Sequence, residues 1–228
     1  MLLAALLVFA LGTYICLSLL GASVATLAPS GTGERRVIVI DAGHGGEDGG
    51  AVSADGVIES GINLAVALDL GALLTLLGED TVMTRTEDVS VYSEGAETLR
   101  QKKRSDLENR VALVNGTPDA VLLSIHQNSL PTSAKTHGAQ VFFGSIAGSD
   151  TLAQSVQTAL NSAINDADKE AKRISGDVFL MRNVTVPAVL VECGFLSNRE
   201  ESEKLQQPDY QTKLAVVIAA GFLNAQKK

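Results

Sequence analysis

The chain has 228 residues and a formal net charge of −8, with 46% hydrophobic residues, no Trp and two Cys. The length suits one sizeable domain, and the acidic balance argues against a nucleic-acid binder and against a surface for anionic lipid headgroups. Two Cys exclude a disulfide framework, and the scarcity of aromatics leaves the core to Ala, Val, Leu and Ile.

Residues 2–28 carry no charge. About twenty apolar residues span a bilayer as a helix, so residues 1–28 read as a transmembrane anchor. The alternative is a secretory signal cut near Ser23-Val24-Ala25, although the basic start expected of one is missing. Residues 29–35 read as a linker and 36–228 as the folded domain. Arg35 and Arg36 follow the apolar run, which nominally puts that side in the cytoplasm.

Val37 to Ile40 is a β-branched run that suits a strand buried on both faces. It stops at Asp41 and leads into Ala42-Gly43-His44-Gly45-Gly46, a turn that displays one imidazole. Residues 58–77 read as an apolar helix, with Gly78 as its stop. Residues 81–84 are a short strand. Arg85 to Asp106 is a polar loop passing into a helix that ends near Asn115-Gly116, and Lys102-Lys103-Arg104 reads as a solvated face of it. Residues 120–125 and 138–143 are further strands, the second suited to a sheet edge.

Residues 150–164 form an amphipathic helix capped by Ser149 or Asp150. A charged connection follows, then a short strand at 178–181 and a fully apolar strand at 188–191. Asn198-Arg199-Glu200-Glu201 has the form of a capping box, and Pro208 opens the last helix. Strand and helix signals alternate, so the fold class is α/β: a single domain with a mostly parallel sheet flanked by helices.

Three buried strands end alike. The first reaches Asp41 and His44, the second His126-Gln127-Asn128, the third Glu192. Parallel strands put their carboxyl ends on one edge, where open α/β sheets bind ligands. Glu59 opens the first helix and faces the same edge. One His, or one Glu in a first helical turn, is ordinarily structural. All four at one edge are not, because an unpaired buried carboxylate is costly. Two imidazoles and one carboxylate make a common zinc shell with an open position for water, and a second carboxylate can take the water's proton. His137 begins a strand, at the wrong end, and reads as a surface residue. Cys193 reads as a small core hydrophobe.

The segments Val39-Ile40-Asp41-Ala42-Gly43-His44-Gly45-Gly46 with Asp48-Gly49-Gly50-Ala51, Glu59, Ser124-Ile125-His126-Gln127-Asn128 and Val191-Glu192-Cys193-Gly194-Phe195-Leu196-Ser197-Asn198 resemble the zinc-dependent N-acetylmuramoyl-L-alanine amidases of the amidase-3 type. Ala42 departs from the Pro common there, and Cys193 from another small or β-branched residue. The resemblance implies one Zn2+ held by His44, Glu59 and His126, with Glu192 as the catalytic carboxylate. It implies cleavage of the amide between the lactyl group of N-acetylmuramic acid and L-alanine of the stem peptide. Asp41 and Asn128 are, by spacing, candidates to orient the ligands. Because peptidoglycan lies outside the cytoplasmic membrane, the domain is expected there, anchored or secreted, against the nominal signal of the two arginines.

The stretch Tyr92 to Leu107 resembles the germination-specific amidases that trim spore cortex, and the connection between Phe143 and Ala188 has little room for an autoinhibitory helix. That subtype implies a partner deacetylase or a lipoprotein activator. A vegetative or division amidase, or a non-catalytic wall-binding relative, stands as the alternative.

Overall fold

A computed structural model describes residues 36–176 and 178–226. The anchor and linker expected over residues 1–35 lie outside the described residues. The elements run β1 (Val37–Ala42), α1 (Glu59–Leu76), β2 (Asp80–Met83), α2 (Leu99–Gly116), β3 (Ala120–Asn128), β4 (Gln140–Phe143), α3 (Ser149–Ala163), β5 (Lys172–Arg173), α4 (Phe179–Asn183), β6 (Ala188–Phe195), α5 (Arg199–Leu205) and α6 (Pro208–Ala225).

They form one six-stranded sheet, ordered β2-β1-β3-β6-β4-β5. β2, β1, β3 and β6 are mutually parallel, whereas β4 runs antiparallel to β6. The sheet is therefore mostly parallel, as the sequence suggests.

Alternation along the strands divides the core in two. Ile38 and Ile40 of β1 face a layer built from Ile62, Val66, Leu70 and Leu74 of α1, Leu152, Val156 and Leu160 of α3, and Leu214, Ile218 and Phe222 of α6. Val39 faces the other way, with Leu122, Leu190, Val114 of α2, and Leu180 and Met181 of α4. Each such side chain, fully buried, contributes roughly 1.5–3 kcal/mol. By length and hydropathy α1 would pass for a membrane span. Its packing on the sheet and on α6 marks it as a core helix.

Several boundaries differ from the sequence reading. Residues 178–181 are not a strand: Phe179–Asn183 is one helical turn and a little more, turning Leu180 and Met181 into the second core. A run as short as Val-Phe-Leu-Met carries no period that separates strand from helix. β5, two exposed basic residues beside β4, forms that end of the sheet, so β4 is not the edge. Lys and Arg are common blockers of an open sheet edge.

α3 is capped by Gly148 at φ 89, without a side-chain cap. Ser149 is drawn inward instead, where its Oγ accepts from the Ala188 N–H at 3.0 Å. At α5, Asn198 does cap, accepting from Glu201 N–H at 3.1 Å. The Glu201 carboxylate does not reach back to complete the box; it accepts from Gly138 N–H and Phe195 N–H. The reciprocal box occurs at α2, between Thr98 and Gln101.

Candidate metal centre

β3 and β6 both run past their apolar segments, to Asn128 and Phe195, with a register shift between His126 and Asn128. That pairing sets His126 beside Glu192 on the neighbouring strand. His44 stands in the turn after β1 at φ 60, the left-handed region that a non-Gly residue enters only when held there. Glu59 is the first residue of α1 and is buried. Ligand atoms of His44, Glu59 and His126 all lie within 4.8 Å of one another. The imidazoles meet edge to face, with centroids 5.0 Å apart.

Glu59 is the hub. Its Oε1 lies 3.0 Å from His126 Nδ1 and accepts from Asn63 Nδ2 and from the Gln127 N–H. Its Oε2 accepts from the Ala51 N–H at 2.7 Å and lies 3.4 Å from His44 Nε2. Burial opposes the charge of this carboxylate. The hydrogen bond to His126, the charges of both imidazoles and the Ala51 N–H outweigh it, and the pKa falls to about 2. Two glycines make room: a Cβ at Gly43 would collide with the His126 ring, and one at Gly50 (φ 74) would sit 2.5 Å from Glu59 Oε2 and 2.7 Å from His44 Cδ2.

Glu192 is of a different kind. Burial pushes its pKa up to about 7, against the His126 charge and with the help of the Glu59 charge. Its Oε2 is buried without a hydrogen-bond partner. A carboxylate left in that state costs stability and signals a role that packing does not supply.

The remaining sequence candidates are placed as follows. Asp41 accepts from Thr84 Oγ1, Ser124 Oγ and Arg110 Nη1; these bonds hold the strand and the arginine rather than an imidazole. Asn128 Oδ1 accepts from the Ser129 N–H, a local turn contact. His137 is exposed, 3.8 Å from Asp166. Cys193 is fully buried, and burial pushes its thiol pKa well up, as befits a core residue.

Two arginines to which the sequence reading gave no role at the site hold the His44 turn. Arg110 Nη1 donates to Asp41 Oδ1 and to the Ala42 carbonyl, and its Nη2 donates to the His44 carbonyl at 2.7 Å. Asp106 receives its Nε at 2.7 Å. Arg85 donates to the carbonyls of Ala42, Gly43 and Ser60. Asp48 was legible only as part of a motif; its Oδ2 lies 3.0 Å from His44 Nδ1, and that hydrogen bond holds its pKa well below the usual range. The basic cluster on α2 is only in part a free face: Lys102 pairs with Glu47 and Lys103 with Asp48, while Arg104 pairs along the helix with Glu108.

Nitrogen and carboxylate donors in this number fit zinc, whose catalytic sites use three protein ligands and leave a position for water. Glu192, with its buried, unpartnered oxygen, is paired with His126 across the two strands.

These groups stand on the carboxyl edge of an open α/β sheet, and the chain belongs to the N-acetylmuramoyl-L-alanine amidase family, which matches residues 38–224. It is thus a peptidoglycan amidase. It is similar to the germination-specific N-acetylmuramoyl-L-alanine amidase of Bacillus subtilis, at 39% identity over 82% of this chain and 78% of the relative. Among solved structures it resembles the CwlD amidase of Clostridioides difficile in complex with the GerS lipoprotein, with TM-score 0.81, 34% identity, and coverage of 85% of this chain and 99% of that one. A second amidase, from Clostridium difficile 630, matches with TM-score 0.74 and 29% identity over 86% and 99% of the two chains.

Proposed function

We propose that the chain hydrolyses the amide between the lactyl group of N-acetylmuramic acid and L-alanine of the stem peptide, using one zinc ion held by His44, Glu59 and His126. The observation that carries this reading is the meeting of those three side chains beside Glu192. Zinc, when bound, lowers the pKa of water towards about 7 and offsets charge developing on the carbonyl oxygen.

The chain's own groups do the rest. Glu192 takes the proton of the attacking water and returns it to the leaving amine of L-alanine. A carboxyl with a pKa near 7 can both accept and donate at neutral pH. Glu59 stays ionised throughout, because its hydrogen bonds and both imidazoles favour the anion.

Spore cortex is the substrate we assign, with removal of the peptide preparing muramic acid for lactam formation by a deacetylase. The germination-specific relative supports this, and the lipoprotein in the Clostridioides difficile complex supports an activating partner of the same kind. Residues 1–28 act as a membrane anchor and 29–35 as a linker, with the catalytic domain at 36–228 outside the cytoplasmic membrane.

The test is digestion of purified cortex and of vegetative peptidoglycan, with added zinc and with a chelator, read by mass spectrometry. Stem peptides freed with zinc, and muramic acid left without peptide, are expected. Equal cleavage in the presence of chelator would overturn the zinc assignment, and intact cortex beside digested vegetative wall would overturn the cortex assignment.

A further inference from the structure

We propose that Asp48 is a positioning residue for His44, fixing which ring nitrogen faces Glu59, and that Lys103 of α2 steadies Asp48; this rests on the zinc reading above. His44 Nδ1 lies 3.0 Å from Asp48 Oδ2, and its Nε2 lies 3.4 Å from Glu59 Oε2. An imidazole that donates its Nδ1–H to a carboxylate keeps the lone pair on Nε2 for a metal. The His44–Asp48 contact therefore presents Nε2 towards the same Glu59 that meets His126.

The turn is built to make this contact. Asp48 N–H donates to the Gly45 carbonyl, and Gly45 N–H donates to the Asp48 carbonyl at 2.8 Å. With His44 at φ 60 and its carbonyl held by Arg110, the chain doubles back and brings the residue four positions on against the ring. Lys103 Nζ stands 3.2 Å from the same Asp48 oxygen, on the solvent side. Next to it, Lys102 grips Glu47. The α2 segment thus reaches a metal ligand through one carboxylate.

The experiment compares Asp48→Leu, Asp48→Asn and Lys103→Met with the unaltered chain. Zinc affinity is measured by competition with a chelator, melting of the metal-free protein by calorimetry, and the His44 ring by 15N and 1H NMR with and without zinc. D48L is expected to weaken zinc binding about 10- to 100-fold, the usual cost of losing an outer partner. It should also erase the low-field, hydrogen-bonded Nδ1–H resonance, with melting of the metal-free protein nearly unchanged. D48N should keep that resonance and lose less affinity, because its amide oxygen still accepts. K103M should lose least, since Lys103 is exposed.

Wild-type zinc affinity in D48L with an unaltered His44 spectrum would overturn the proposal. So would equal losses in D48L and D48N accompanied by a large fall in metal-free melting, which would make Asp48 a plain structural pair. Failure of the unaltered chain to bind zinc would instead sink the zinc reading. In that event the Nδ1–H resonance of the metal-free chain, kept in wild type and lost in D48L, still decides the orienting role.

Discussion

The two sides of the site are built on opposite principles. On the β1–α1 side, from Asp41 to Asn63, polar groups are held several times over: Glu59 takes partners on both oxygens, Asn63 ties Glu59 to the Gly43 carbonyl and to Gln127, and two buried arginines grip the turn's carbonyls. On the β6 side Glu192 carries a buried oxygen with no partner. The first side is a densely hydrogen-bonded holder in which the Asp41 and Glu59 carboxylates are kept ionised. The second holds one group poised between its two protonation states. In the proposed mechanism a holder must not titrate during turnover and a proton carrier must, and the contrast in local hydrogen bonding matches that division.

The sharpest way to break that contrast is Glu192→Gln. The amide keeps the shape and cannot exchange a proton, so turnover should fall by about 10²–10⁴-fold. Zinc content should stay the same, because Glu192 is not one of the three grouped donors. A variant that loses zinc along with activity would move Glu192 into the holder.

Arg110→Met attacks the holder. It leaves Asp41 and Asp106 without their shared cation, and Asp41 is almost wholly buried. Breaking a buried pair by removing one partner costs about 3–5 kcal/mol, which chemical denaturation would read. The loss should be smaller in the double variant Arg110→Met with Asp41→Asn, since no lone buried anion is left. Equal losses would mean that Arg110 acts on the carbonyls of Ala42 and His44 alone.

These arginines also show where sequence reading stops. The strand ends were legible because an apolar run that halts at His126, Glu192 or Asp41 is conspicuous. The parallel class was legible from alternating signals. Arg110 was not, because an Asp106/Arg110 spacing on a polar helix looks the same as Arg104/Glu108, which is a solvated pair. Only contact with Asp41, far away in sequence, distinguishes them. Asp41 and Asn128 were chosen as orienting groups by spacing along strands, whereas Asp48 meets His44 through a left-handed turn that spacing does not report. The short helix at Phe179 was misread for want of a period, and β5 went unseen because two exposed basic residues carry no apolar signal.

Gly50→Ala tests how tightly the holder is fitted. A methyl there would press on Glu59 Oε2 and His44 Cδ2, at a φ that disfavours any L side chain. The expected cost is on the order of 1–3 kcal/mol, with zinc affinity reduced. Normal zinc affinity in a destabilised variant would confine the effect to the backbone.

An effect of similar size and opposite sign is a gain. The Glu192 pKa rises from 4.5 in the unfolded chain to about 7 in the folded one. Between those values the native state binds more protons than the unfolded state, so stability falls as pH rises and the full cost stands above pH about 7. Below about 4.5 both states are protonated and the cost vanishes. Gln does not titrate, so metal-free Glu192→Gln should be more stable than wild type at pH 8, by about 1–3 kcal/mol in chemical denaturation. The margin should shrink towards pH 5. A flat difference across that range would show that the unpartnered oxygen carries no stored cost. Glu192 would then resemble Glu59 in being satisfied within the fold, and the division between holder and proton carrier would lose its thermodynamic basis.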